Sequence, residues 1–491
     1  MAWTFIPLPR GVSTQNPRTL PSDLASHLYG FSLSGDWLHV RNRVAHGGFN
    51  VTDVIRNIIE GWVGSPASLV ALGLTQTKAF TSPDCQSWTI SGEAYTSSDF
   101  RYSWANPTGR LVYTRPSLNI RYYNGATFGN QVVTGTNHAA RSIINFADRL
   151  VTAYTTEASV DFPTRIRWST TADLTDWSGT GAGTAEIVSL ESAPLIGGIT
   201  LGNRGFMTKE RMVYELVRTS DPVAPFTIEP RVVGKGIRYL ASWASAGEFG
   251  FCVGNGTVYR FDGNRMEDIG RDVRRFFETG DAPFSITPRY PILPTTSGTS
   301  VMGALHRRNK EYWLMHVESN FDVTASIFDY QAERWYEATI PGRLIAEDFI
   351  ATEEGILEHA SNTVYKWDDT TSTDLTGYPQ PPLWVTPLLP AQEVGRQGAS
   401  ASPEKKNTLM RVILQGLPNT AVTVRAYADN ATSATGEDQI TLASDGVGLT
   451  KDFQIPYRSI RLGVLPTGTP SRGDFLTNGL WVEWQESGLT L

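Results

Sequence analysis

Thr257-Val258-Tyr259-Arg260-Phe261-Asp262-Gly263 and Thr363-Val364-Tyr365-Lys366-Trp367-Asp368-Asp369 are two versions of one phrase, 106 residues apart. Each alternates β-branched or aromatic residues with polar ones and ends in a turn signal, which reads as a half-buried strand running into a tight hairpin. Asn119-Ile-Arg-Tyr-Tyr-Asn-Gly125 is a looser copy, and Ser326-Ile-Phe-Asp-Tyr-Gln-Ala-Glu-Arg-Trp335 is another strand–turn–Trp unit. A recurring supersecondary unit is the mark of a repeat architecture. A spacing of 106 residues suits two units of about 50 residues each, so 300–340 residues hold about six blades of a β-propeller.

The surrounding sequence agrees. Short strand patterns recur at 68–73, 111–114, 149–155, 164–169, 212–217, 249–254 and 312–317, separated by Gly, Pro, Asn and Asp. Among 491 residues there are 45 Gly, 28 Pro and 14 Trp, and 11% are aromatic, a balance that favours strands and turns. The expected organisation is mostly β: an extended arm with a short helix over 1–64, a propeller over 65–372, a Pro-rich linker over 373–407, and a small β-sandwich-like domain over 408–491. The helix is expected because Val51, Val54, Ile55, Ile58, Ile59 and Trp62 recur at helical spacing, with Asn50 or Thr52 as cap and Gly64 as stop. The arm, broken by Pro7, Pro9, Pro17 and Pro21, is expected to lie on a neighbouring subunit.

A formal charge of −7 argues against a protein whose task is to grip nucleic acid, since that needs a Lys/Arg excess. The opening residues lack a signal-peptide pattern, and no run of about 18 apolar residues marks a membrane span. Cys85 and Cys252 read as buried apolar residues, in keeping with assembly in a reducing cytoplasm. The seven histidines and two cysteines show no metal-ligand spacing, and no phosphate-binding loop or nucleophile elbow occurs, so neither cofactor nor metal nor catalysis is expected. Glu347, Asp348, Glu353, Glu354, Glu358, Asp368 and Asp369 form an acidic run relieved only by Lys366; it reads either as a solvated surface or as a wall that repels phosphates.

The segment from Arg165-Ile-Arg-Trp168 to Asp176-Trp177 resembles the Asp-box of sialidase-type propellers, without its central Gly and with Trp177 one residue too close. In those proteins the box staples a blade turn and does no chemistry. Several stretches also resemble, in order, the tail nozzle or tail-tube hub propellers of short-tailed bacteriophages. They are Leu69-Val-Ala-Leu-Gly-Leu-Thr-Gln-Thr-Lys78, Pro163-Thr-Arg-Ile-Arg-Trp-Ser169, Pro194-Leu-Ile-Gly-Gly198, Phe206-Met-Thr-Lys-Glu-Arg-Met-Val-Tyr214, Val233-Gly-Lys-Gly236 and Val258-Tyr-Arg-Phe-Asp-Gly263. That resemblance spans about 65–370. It implies a structural, non-enzymatic virion component: a homohexameric ring below the portal and the adaptor, near tail fibres or tailspikes, through which viral DNA leaves. In such a ring the acidic residues named above are candidates to line the channel. The alternative expectation is a glycan-binding or glycan-hydrolysing propeller of a phage tail.

Overall fold

The computed structural model describes residues 55–96, 101–188, 193–273 apart from Pro222 and Asn255, 301–316, 323–340, 406–416, 418–467 apart from Asn430 and Thr432, and 474–487. Shorter described pieces are 2–6, 8, 27–29, 31–34, 37–40, 43–48, 343–346, 356–360, 363–367, 383–386 and 389–390. Every regular element among them is a strand.

The strands of the central body follow one another as antiparallel sets of four. Blade one is Ile55–Val63, Ser68–Thr75, Lys78–Ser82 and Thr89–Ala94. Blade two is Ser103–Ala105, Leu111–Arg115, Leu118–Tyr123 and Phe128–Asn130. Blade three is His138–Phe146, Arg149–Glu157, Val160–Trp168 and Gly183–Glu186, joined to blade two by the single register pair Asn119↔Ala139. Blade four is Gly197–Leu201, Arg204–Thr208, Met212–Arg218 and Phe226–Val233; blade five is Tyr239–Ser245, Gly250–Val253, Val258–Phe261 and Met266–Asp268. Blade six is Val301–His306, Glu311–His316, Val323–Asp329 and Arg334–Ile340.

Blade seven is assembled from both ends of the chain. Arg343–Ala346, Ile356–Ala360 and Thr363–Trp367 supply three strands, and the fourth is Arg43–Gly48, paired with Thr363–Trp367. From blade two to blade seven the first strand of each blade neighbours that of the next; Arg343–Ala346 then lies against Ile55–Val63, and Leu111–Arg115 against Ile55–Val63. The circle therefore closes, and the fold is a β-propeller latched by a strand from the N-terminal region. The described residues make seven four-stranded units where about six were expected. Arg43–Gly48 and Ile55–Val63, assigned to an arm and a helix, are strands of the ring.

The helix expected over 51–63 is the clearest correction: Ile55–Val63 is a strand. Ile55, Ile58, Ile59 and Val63 are all buried, and so are Arg56 and Glu60. A first strand sandwiched between neighbouring blades is covered on both faces, so it loses the polar–apolar alternation that identifies a strand. A register shift between Ile55 and Asn57 disturbs the alternation further.

The repeat holds its place in space. Val258–Phe261 and Thr363–Trp367 are both third strands, with Tyr259 opposite Cys252 and Tyr365 opposite Glu358 in the second. The looser copies also fall on third strands, Leu118–Tyr123 and Val323–Asp329. The residue that ends the phrase closes the hairpin to strand four. Asn124 Oδ1 accepts the N–H groups of Ala126 and Thr127, Asp262 Oδ1 those of Asn264 and Arg265, and Asp329 Oδ1 those of Gln331 and Ala332. A short side-chain acceptor thus replaces a backbone one at each turn.

The remaining strands form two further sheets. One joins Phe31–Ser34, Trp37–Val40, Asp474–Ser487, Lys406–Gly416 and Val447–Leu449, with Ala2–Ile6 also on Asp474–Ser487. The other joins His27–Tyr29, Leu383–Val385, Ser459–Pro466, Ala421–Ala428 and Gly436–Thr441, and continues blade six through the pair Tyr29↔Glu337. Of the expected arm, Ala2–Ile6 and Trp37–Val40 pair with Asp474–Ser487, and His27–Tyr29 pairs with Leu383–Val385 of the expected linker. One continuous core runs from Phe251, Tyr312 and Trp335 of blades five and six to Trp384, Val412, Val464 and Val482.

Candidate functional site

Glu347, Asp348, Glu353, Glu354, Asp368 and Asp369 lie outside the described residues. Of Glu358 only the strand position is described: the second strand of blade seven, opposite Leu344 and Tyr365. In the repeat, Asp368 corresponds to Asp262, a carboxylate engaged in its own turn.

Most carboxylates described elsewhere are likewise engaged. Asp84 accepts the N–H groups of Ser87 and Gln86, which hold its carboxyl below the usual range. Glu215, on the third strand of blade four, takes Arg204 Nε at 2.7 Å and Nη2 at 2.8 Å and Arg231 Nε at 2.5 Å. Arg204 and then Arg231 depress its pKa, outweighing burial. In blade three Arg167 Nη1 reaches Glu157 at 2.7 Å, and Arg165 lies between Glu157 and Glu186. Such ladders fix the register of neighbouring strands.

The Asp-box-like segment works as a staple. Asp173 Oδ1 accepts the Thr175 N–H at 2.8 Å, and Asp176 Oδ1 accepts those of Ser178 and Gly179 at 3.0 Å. Trp177 follows, 1% exposed, its backbone N–H donated to the Thr134 carbonyl. Its ring meets the edge of His138 at 4.9 Å and packs with Val112, Ile120, Val132, Ile143 and Leu150, which belong to blades two and three. Burial lowers the His138 pKa to about 4, so the imidazole is neutral at pH 7.

Reactive groups are muted. Burial pushes the Cys85 thiol up to about 12 and raises that of Cys252, which disfavours the nucleophilic thiolate. Among the described residues no three His, Cys, Asp or Glu side chains gather as a metal site, and no helix is long and apolar enough to cross a membrane.

The most distinctive surface feature is a row of apolar side chains across the sheet built from both chain ends. Phe5 stands opposite Trp481, Trp481 opposite Ile413, and Ile413 opposite Leu449. Residues paired across strands share a face. Phe5, Trp481 and Leu449 are exposed, and the Phe5 and Trp481 rings lie 4.8 Å apart. Trp3, also exposed, is two residues along on the same face, opposite Glu483, which pairs with Arg411. The alternate residues Ile6, Leu480, Val482, Val412 and Leu414 are buried beneath. Sequence reading missed this row because Ala2–Ile6 pairs with the far end of the chain; the only local signal was the alternation in Ala2-Trp-Thr-Phe-Ile6.

No family model matches the chain. No curated protein matches it. Among solved structures, one described as "Streptogramin B lyase structure" is similar over 67% of this chain and 98% of its own, at 10% identity and a TM-score of 0.41.

Proposed function

We propose that this chain is a structural subunit of the tail of a short-tailed bacteriophage, a nozzle or tail-tube hub. Copies of it form a closed ring, six in number, that meets the adaptor and passes the genome without base-specific contact. It works in the virion tail after assembly in the host cytoplasm, and it carries no catalytic centre. The ordered resemblance of residues 65–370 to that family supports the reading, as does the engagement of the described carboxylates in turns and ladders. In this account the acidic run at 347–369 faces the bore, where like charge keeps phosphates from sticking over a range of about 8 Å at physiological salt.

The observation that carries the proposal is the row of exposed Trp3, Phe5, Trp481 and Leu449, joined through the half-buried Ile413. Contiguous exposed apolar surface marks contact with another protein, and this one sits on a rigid sheet beside the propeller. Converting Phe5 and Trp481 to Ser should abolish ring formation while leaving the melting temperature within a few degrees of wild type. A double variant that still forms wild-type rings removes the row from the assembly contact.

A further inference from the structure

A cleft of about 730 Å³ opens where blades one, two and three meet, lined by Glu93, Tyr95, Arg121, Asn130 and the hairpin turns at 116–117 and 158–159. Its size falls within the range of small-molecule sites. Arg121 organises one wall. Its Nη2 reaches Glu93 of the neighbouring blade at 2.5 Å, its Nη1 reaches Asn130 Oδ1 at 2.8 Å, and its Nε is buried without an acceptor. Asn119 and Asn137 also line the cleft. Among the described residues no hydrogen bond to either side-chain amide is present.

We infer that this cleft binds a neutral saccharide. Each free amide offers a donor and an acceptor in one plane, the pattern that matches paired sugar hydroxyls. Ser117 and Ser159 add hydroxyls, while Pro116, Leu118, Ala139 and Ala158 give small apolar surface for the C–H faces of a ring. Glu93 neutralises Arg121, so the wall has no net charge with which to select an anion. A flat aromatic ligand is a poorer match, because the lining is mainly polar and its one aromatic side chain, Tyr95, is tied by its hydroxyl to Tyr113 at 2.6 Å. The inference rests on the cleft alone and does not depend on the tail reading.

The test is saturation-transfer NMR on the full chain with four probes: maltotriose, chitotriose, cellotriose and the charged control 3′-sialyllactose. At least one neutral probe should bind with a millimolar Kd, and Asn119→Ala with Asn137→Ala should weaken it about tenfold or more, two lost hydrogen bonds. Thermal unfolding of this variant should match wild type, since neither amide supports the fold. Absence of binding by all neutral probes at about 10 mM, equal affinity in the variant, or preference for the sialylated probe would each overturn the inference.

Discussion

Removing the Trp177 side chain separates its two contributions, packing and polarity. The ring is fully buried between blades two and three, and its Nε1 is buried without a hydrogen-bond partner. Trp177→Ala deletes the whole ring and leaves a cavity, which costs about 3–5 kcal/mol. Trp177→Phe also loses volume, but it removes a buried unsatisfied donor whose desolvation penalty is about 1–3 kcal/mol. The Phe variant should therefore lose less than about 1.5 kcal/mol. Urea denaturation of the full chain, followed by tryptophan fluorescence and circular dichroism, measures both. The same substitution should reach His138: with the indole gone, water approaches the imidazole and its pKa climbs from about 4 toward the ordinary value near 6.5. Its ring resonances then titrate in the mild acid range by NMR. Equal losses for Phe and Ala would mean that Nε1 has a partner the geometry does not provide. A negligible loss for Ala would refute the staple.

His138 also sets a pH dependence. Its folded pKa lies below its unfolded value, so its share of stability is complete above about pH 6.5 and declines as pH falls toward 4; His138→Gln should flatten the slope between pH 6.5 and 5, and an unchanged slope would assign it elsewhere. Glu215→Gln should destabilise blade four by about 1–2 kcal/mol, a range kept low because both arginines are partly exposed. The Glu215 contribution is present above the ordinary Glu range and lost as pH falls through its lowered pKa, so wild type and variant should converge in strong acid. Replacing Arg43–Gly48 with a Gly/Ser linker of equal length removes the latch and leaves Thr363–Trp367 as an open edge; a lower melting temperature and concentration-dependent aggregation are expected, and unaltered melting and solubility would show that the ring closes without it.

The propeller was legible where the sequence repeats itself. The phrase at 257–263 and 363–369 falls on the third strand of two blades, and in the first copy it runs into a side-chain-capped turn. Ile55–Val63 was misread because burial on both faces erased the alternation. The latch and the two-ended sheet were invisible for another reason. Arg43–Gly48 pairs more than 300 residues away and Ala2–Ile6 pairs with the far end of the chain, and pairing at such distance leaves no local pattern. The acidic run was visible as composition, yet composition does not say which way a carboxylate points. Asp262 illustrates the gap: it resembles a surface charge in the sequence and is the acceptor of a hairpin turn in the fold.

The central claim is that copies of this chain make a ring on the axis of a phage tail. Cryo-electron microscopy of isolated tails that contain it tests this directly. The account predicts a closed ring of six propellers beneath the adaptor, with the two-ended sheets in contact between neighbours and residues 347–369 toward the bore. A chain present as single copies away from the axis, or a bore lined mainly by Lys and Arg, would contradict it.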